Sequence, residues 1–124
     1  MQRTLKKSFS FSGTCLHSGN HTNVTVHPAP SNTGIKFKRI DLKSCSEEKI
    51  IDAAVKSIAK SQLCTSIQNS FGNKVNTIEH LMSALNGLGV DNALIDIDSD
   101  EVPILDGSSK LFVDLIDKAG IRNL

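Results

Sequence analysis

Hydrophobic and polar positions alternate in three early stretches of the chain. Leu5, Phe9 and Phe11 occupy odd positions of a segment that ends at Gly13. Val24 and Val26 alternate with Asn23, Thr25 and His27, after which Pro28 and Pro30 withdraw two backbone donors. A Ser31-Asn32-Thr33-Gly34 turn leads into a third stretch, Ile35 to Ile40. A period of two sends one set of side chains inward and the other into water, so each stretch predicts a half-buried strand. Their closeness in sequence predicts an antiparallel meander. Between Asp41 and Ser61 the pattern changes. Ile51, Ala54, Val55 and Ile58 recur at i, i+3, i+4 and i+7, which predicts a short helix. Leu63 to Ile67 reads as a strand, and Asn69-Ser70-Phe71-Gly72-Asn73 as the turn of a hairpin that returns through Lys74 and Val75.

In the second half, Asn76 or Thr77 can cap a helix that runs to Asn86 and stops at Gly87 or Gly89. Ala93 to Asp98 predicts a strand with Ala93, Ile95 and Ile97 on one face, and Glu101 to Gly107 a loop. Ser108 or Ser109 caps a last helix that ends at Gly120. No repeat, low-complexity tract or linker interrupts the pattern. The elements predict an α+β fold in one domain spanning residues 1–124. It is a two-layer sandwich with a mainly antiparallel sheet of about five strands packed against two helices.

Composition excludes several functions. A chain of 124 residues is long enough for one core and too short for two. With 14 Lys+Arg against 13 Asp+Glu, the net charge is +1, too little to release counterions from nucleic acid or to hold an anionic membrane. Trp and Tyr, on which single-stranded bases stack, are absent. An RNA-binding module of similar architecture is therefore disfavoured. No apolar run approaches the roughly 18 residues that span a bilayer, so no transmembrane helix is expected. Nor does the N-terminal stretch carry the apolar centre of a secretory signal, so a cytoplasmic location is expected. Cys15, Cys45 and Cys64 are odd in number and widely spaced, which predicts reduced thiols rather than disulfides or a paired metal site.

Projected at about 100° per residue, the two helices differ on their outer faces. The last has Leu111, Phe112, Leu115, Ile116 and Ala119 inward and Lys110, Asp114, Asp117 and Lys118 outward, the pattern of a solvated helix. The earlier one has Ile78, Leu81, Met82 and Leu85 inward, while its other side carries Glu79, His80, Ser83, Ala84 and Gly87. So many small residues around one acid and one imidazole predict a face covered by another layer of protein. Two readings of Glu79 stand side by side. Asn76-x-x-Glu79 has the spacing of a capping box, in which the carboxylate only satisfies a backbone donor. Alternatively, a carboxylate beside a metal-binding imidazole takes a proton from water, as in zinc hydrolases. A lone imidazole such as His80 is more often a hydrogen-bonded structural residue than a ligand, but beside Glu79 the ligand reading gains, since the positive end of a helix disfavours the imidazolium and leaves the form that binds metal. A catalytic zinc needs about three protein ligands. The other histidines, His17, His21 and His27, lie in a loop and a strand, and the latter two read as surface residues.

The ordered motifs resemble a known family, the zinc-dependent UDP-3-O-acyl-N-acetylglucosamine deacetylases of lipid A biosynthesis in Gram-negative bacteria. The resemblance rests on Gln2-Arg3-Thr4-Leu5-Lys6, Leu16-His17-Ser18-Gly19, Pro28-Ala29-Pro30 and Leu63-Cys64-Thr65. It continues through Thr77-Ile78-Glu79-His80-Leu81, Ser83 to Asn92, and Glu101-Val102-Pro103-Ile104-Leu105-Asp106-Gly107-Ser108. Family members are about twice as long and have two similar domains with the active site between them, and this chain matches the first. The resemblance implies that His80 is one of three zinc ligands and Glu79 the general base in removal of acetate from the substrate's 2-amide. It further implies that His17, Leu63 and Cys64 line the substrate cleft and that Asp106-Gly107-Ser108 forms a loop near the domain junction. For that last triplet, a turn leading into a helix is the alternative. Cys15 stands where the family usually has Gly, and reads as a small buried thiol. The remaining zinc ligands belong to the second domain. The resemblance thus implies half of an amidohydrolase, partnered by UDP-3-O-acyl-N-acetylglucosamine and by the missing C-terminal domain, and nearly inactive alone. The rival reading is a non-catalytic binding domain of the same fold, with Glu79 serving only as a cap.

Overall fold

The computed structural model describes residues 1–54, 65–124 and the backbone of 58–59. Its elements, in chain order, are β1 (Arg3–Leu5), β2 (Phe9–Thr14), β3 (His21–Pro28), β4 (Ile35–Arg39), α1 (Ser46–Lys49), β5 (Ile50–Asp52), β6 (Ile58–Ala59), β7 (Ser66–Gln68), β8 (Lys74–Asn76), α2 (Glu79–Gly87), β9 (Ala93–Ile97), α3 (Lys110–Ala119) and β10 (Ile121–Asn123). The main sheet has the order β2-β3-β9-β4-β5. This is the expected α+β arrangement of about five mainly antiparallel strands, with α2 and α3 covering one face.

Alternation along the strands decides which side chains reach that face. Val24 and Val26 of β3, Phe37 of β4, Ile51 of β5, and Ala93, Ile95 and Ile97 of β9 point into one core with Leu81, Ala84 and Leu85 of α2 and Phe112, Ile116 and Ala119 of α3. Phe9 and Phe11 of β2 pack against it, and the ring of Phe11 meets that of Phe112 edge-on at 5.0 Å. The intervening residues make a polar outer face, where His27 lies between the Asp96 carboxylate (Nε2, 2.9 Å) and the Ser8 hydroxyl (Nδ1, 2.9 Å). His21 and His27 do lie on that polar side of β3, as their spacing predicts.

Three expectations are corrected. Leu5 does not share a strand with Phe9 and Phe11. β1 is separate and pairs with β10 at the other end of the chain, Leu5 opposite Ile121. The meander extends only through β2 and β3, because β9 inserts between β3 and β4. β9 runs antiparallel to β3, with Val26 opposite Ile95, and parallel to β4, with Phe37 opposite Ile95. Placing the alternating Ala93-Leu94-Ile95-Asp96-Ile97 in the middle gives its buried face strand partners on both sides. Finally, Ile51 does not belong to a helix. After the single turn α1 it enters β5 opposite Phe37, and Ile58–Ala59 pairs with β7. A β-branched Ile pair on a sheet edge matches the pleat, and the helical spacing of Ile51 and Ala54 was coincidental. Val55 lies outside the described residues.

The expected hairpin is present as β7 and β8, with Ile67 opposite Val75. Its turn is fastened to the main sheet: the Asn69 amide nitrogen donates to the Glu48 and Ile50 carbonyls at 2.9 and 3.0 Å, while its oxygen accepts from the Phe71 and Asn73 amides. A second link is Arg39, 9% exposed, which forks onto Asp41 and donates to the Lys74 carbonyl at 2.9 Å. The Arg39 guanidinium holds the Asp41 carboxyl below its ordinary range, against the opposing effect of partial burial. α3 ends where predicted. Gly120 takes a φ of 82° and its carbonyl accepts from the Lys6 amide at 2.8 Å, turning the chain into β10. A Cβ there would meet the Lys6 side chain at 2.9 Å. Gly120→Ala is therefore expected to cost about 1 kcal/mol or slightly more, read as a lower urea midpoint at unchanged slope.

Candidate functional site

The predicted chemistry centres on the entrance to α2. β8 delivers the chain to Thr77, whose φ of 61° is left-handed, a costly conformation for a β-branched residue of order 1–3 kcal/mol. The next residue, Ile78, returns to helical angles at the N-cap position with no side-chain cap. Its amide donates to the Thr65 carbonyl at 3.2 Å. Glu79 and His80 follow as the first two residues of α2, both half-buried.

The capping box does not form. Asn76 belongs to β8, its main chain pairs with Asp100 and Val102, and its side-chain oxygen accepts from the Ser66 hydroxyl at 2.6 Å. The Glu79 carboxylate accepts instead from the Thr65 amide at 3.3 Å. Asn76 is thus committed to the strand, and among the described residues Glu79 keeps one long hydrogen bond, on the side of β7.

A residue that periodicity passed over organises the surroundings. Glu101 is 1% exposed, yet no basic side chain pairs with it among the described ion pairs. Its Oε2 accepts from the His17 amide at 3.0 Å and from the Thr77 hydroxyl at 3.0 Å, and its Oε1 from the Ser18 amide at 2.9 Å. Burial on its own raises the Glu101 carboxyl, but these donors outweigh it and hold the group below its ordinary value, so the carboxylate is the stable form. The signal that could have found it is the last acid of the run Asp96, Asp98, Asp100 and Glu101, set directly against the apolar Val102-Pro103-Ile104, where a charge survives only if the fold surrounds it with donors.

The loop of residues 15–20 is closed by two backbone hydrogen bonds, Cys15 amide to Asn20 carbonyl at 2.8 Å and Gly19 amide to Cys15 carbonyl at 3.1 Å. Cys15 is buried as expected. Its thiol donates to the Glu101 carbonyl at 3.2 Å and shares a hydrogen bond with the Thr22 hydroxyl at 3.1 Å, and burial pushes it above the ordinary thiol range. It is free, as is the exposed Cys45.

The structure therefore joins the loop bearing His17 to the turn preceding Glu79 and His80 through one carboxylate. The His17 residue itself is exposed, held through its main chain. Leu63 and Cys64 lie outside the described residues, next to the exposed Thr65. Asp106-Gly107-Ser108 is an exposed turn ahead of α3. Asp106 accepts from the Ser108 amide and hydroxyl, which lower its carboxyl, and Gly107 has a φ of 80°. Ser109 stands at the N-cap of α3 without a side-chain cap, while the Ser108 hydroxyl accepts from the Lys110 amide at 3.3 Å.

The outer faces of the helices need two adjustments. Ala84, predicted outward, is buried beside Leu81 and Leu85, and Leu111, predicted inward, is 40% exposed. Ser83 and Gly87 are exposed, with nothing over them among the described residues. Among the described residues no three His, Cys, Asp or Glu side chains gather to hold a metal ion. The donor chemistry of His80 suits zinc, but one imidazole falls short of the three ligands a catalytic zinc takes. No helix among the described residues is long and apolar enough to cross a membrane.

Comparison with known proteins supports the family resemblance carried by the motifs. The profile of the family described as UDP-3-O-acyl N-acetylglycosamine deacetylase (LpxC) matches residues 2–124. A UDP-3-O-acyl-N-acetylglucosamine deacetylase from Pseudoalteromonas atlantica is 45% identical over 123 residues, which is 99% of this chain and 40% of that protein. Proteins of the same name from Idiomarina loihiensis and Colwellia psychrerythraea are 46% and 49% identical over 123 residues, covering 98% and 99% of this chain and 39% of each relative. The chain spans about 40% of the length of the curated relatives it matches.

Proposed function

This chain belongs to the UDP-3-O-acyl N-acetylglycosamine deacetylase family, and we propose that it supplies the general base and one metal ligand of a zinc-dependent amidohydrolase whose site is completed by a further domain. The substrate is UDP-3-O-(3-hydroxyacyl)-N-acetylglucosamine, and the reaction, a step of lipid A biosynthesis in the cytoplasm of Gram-negative bacteria, releases acetate. The observation that carries this reading is the placement of Glu79. Its carboxylate is half-buried at the head of α2, beside His80, and free of the capping role that would otherwise explain it.

His80 would offer one imidazole to zinc, the other ligands coming from a further domain. Zinc so held would supply polarisation of the acetyl carbonyl and acidification of a water. Glu79 takes the proton from the attacking water as its oxygen adds to the acetyl carbon. When the C–N bond breaks, the proton taken up by Glu79 passes to the amine nitrogen and acetate departs. His17 in the loop of residues 15–20 would line the substrate wall, with Leu63 and Cys64 proposed as further substrate contacts, and Asp106-Gly107-Ser108 would face the domain junction. The exposed small residues Ser83 and Gly87 leave room for a further domain to approach α2 closely.

The test is deacetylase activity with added zinc, measured for this chain alone and mixed with the remaining part of a relative expressed separately. Turnover only in the mixture is the expected result. Turnover by the chain alone would contradict a shared site. Association without turnover would favour the non-catalytic binding domain.

A further inference from the structure

We propose that Glu101 is a positioning residue that couples the His17 loop to the Glu79–His80 turn, so that the substrate wall and the catalytic turn keep one fixed relation. The inference rests on the proposed function for its catalytic meaning, but its geometry stands independently. Three donors from two separate segments converge on one buried carboxylate: the His17 and Ser18 amides on one side and the Thr77 hydroxyl on the other, all at 2.9 to 3.0 Å. The main chain of the same residue accepts from the Cys15 thiol, so the loop is tied to Glu101 twice. Thr77 is the residue that adopts the left-handed conformation, two positions before Glu79. A β-branched residue keeps such a backbone only when its surroundings dictate it, and here the Glu101 carboxylate binds its hydroxyl.

The chemistry requires a carboxylate at this place. Two oxygens with several lone pairs accept from three donors, whereas an amide presents one oxygen and an NH2 that would face a donor. In Glu101→Gln the orientation that keeps the most hydrogen bonds leaves the oxygen on His17 and Thr77 and turns the NH2 toward Ser18. The Ser18 amide is the group that loses its partner.

Hydrogen exchange and amide chemical shifts of the intact chain, measured by NMR, test this. In Glu101→Gln, exchange of the Ser18 amide is expected to accelerate about tenfold or more, the resonances of Thr77 to His80 to shift, and the Phe37 and Ile95 amides to keep their protection. Thr77→Gly gives the reverse reading. Glycine is at ease at a φ of 61°, so the hydroxyl is lost, together with the small methyl, without backbone strain, and by the reciprocity of coupling the His17 and Ser18 amides should respond. Changes confined to residues 15–20 in Glu101→Gln, with His17 and Ser18 silent in Thr77→Gly, would overturn the coupling, as would a uniform loss of protection across the sheet in both variants. In the reconstituted two-part enzyme, both variants should lower kcat per folded molecule, which a merely structural role would leave unchanged. Failure of reconstitution would count against the proposed function, whereas the exchange measurements decide the coupling on their own.

Discussion

Glu79→Gln in the two-part enzyme is expected to reduce kcat by about 10²–10⁴-fold, the range attributed to a positioned general base, while leaving the fold intact. The amide oxygen can still accept the 3.3 Å hydrogen bond from Thr65, so the contact seen in the structure survives while the capacity to take a proton does not. Stability is the control that separates base from cap. A true N-cap acceptor costs about 0.5–2 kcal/mol when removed. With Asn76 bound to Ser66 and the Thr65 amide held only at 3.3 Å, Glu79→Ala should stay within about 0.5 kcal/mol of the parent, as an ordinary substitution on a partly solvated surface does. Denaturant unfolding of the chain and steady-state rates of the mixture give the two readouts. A variant that keeps full activity, or one whose activity loss follows its loss of folded protein, would remove Glu79 from the chemistry.

Local pattern was a good guide wherever one segment's own period decided the outcome. The alternation at Val24 and Val26, and at Ala93, Ile95 and Ile97, gave the correct buried faces, and Gly120 marked the end of α3 because a left-handed residue was needed there. What periodicity does not carry is partnership. Nothing within Ile35 to Ile40 says that its neighbour is a parallel strand nearly sixty residues later, since strand order follows from burying the most apolar strand centrally. The same limit explains Ile51, whose spacing to Ala54 mimicked a helix until the Phe37 edge claimed it. The site shows this division as well. Glu79 and His80 were legible as an acid and an imidazole at a helix start, and the motifs surrounding them named the family. The capping box was a plausible local motif that lost to the strand pairing of Asn76 and Val102. Glu101 was invisible to period because its meaning lies in donors 24 and 84 residues away in sequence.

Acid should loosen the same centre before it reaches the hydrophobic core. The Glu101 and Asp41 carboxyls are both held below their ordinary values of 4.5 and 3.8. For a group depressed in the folded state, the unfolded chain takes up the proton first. The stabilisation is therefore complete above the unfolded value and declines as pH falls through the folded one. Urea midpoints should accordingly be nearly constant from pH 7 to 5 and fall below about pH 4.5, first through Glu101 and then through Asp41. Glu101→Gln should be less stable at pH 7 on the order of 1–3 kcal/mol, because one buried donor loses its acceptor, and it should show a shallower decline in acid. Glu101→Ala should lose more, since all three donors are left to water or to each other. Asp41→Asn provides the internal comparison. It removes the partner of the 9%-exposed Arg39 guanidinium and should flatten only the lower part of the curve. If Glu101→Gln follows the parent's pH slope, the carboxylate is not charged where it sits, and the donors around it are answering to something other than its charge. The expected outcome instead ties the charge to the arrangement: one unpaired buried carboxylate holds two segments together because three donors from two places need the same pair of oxygens.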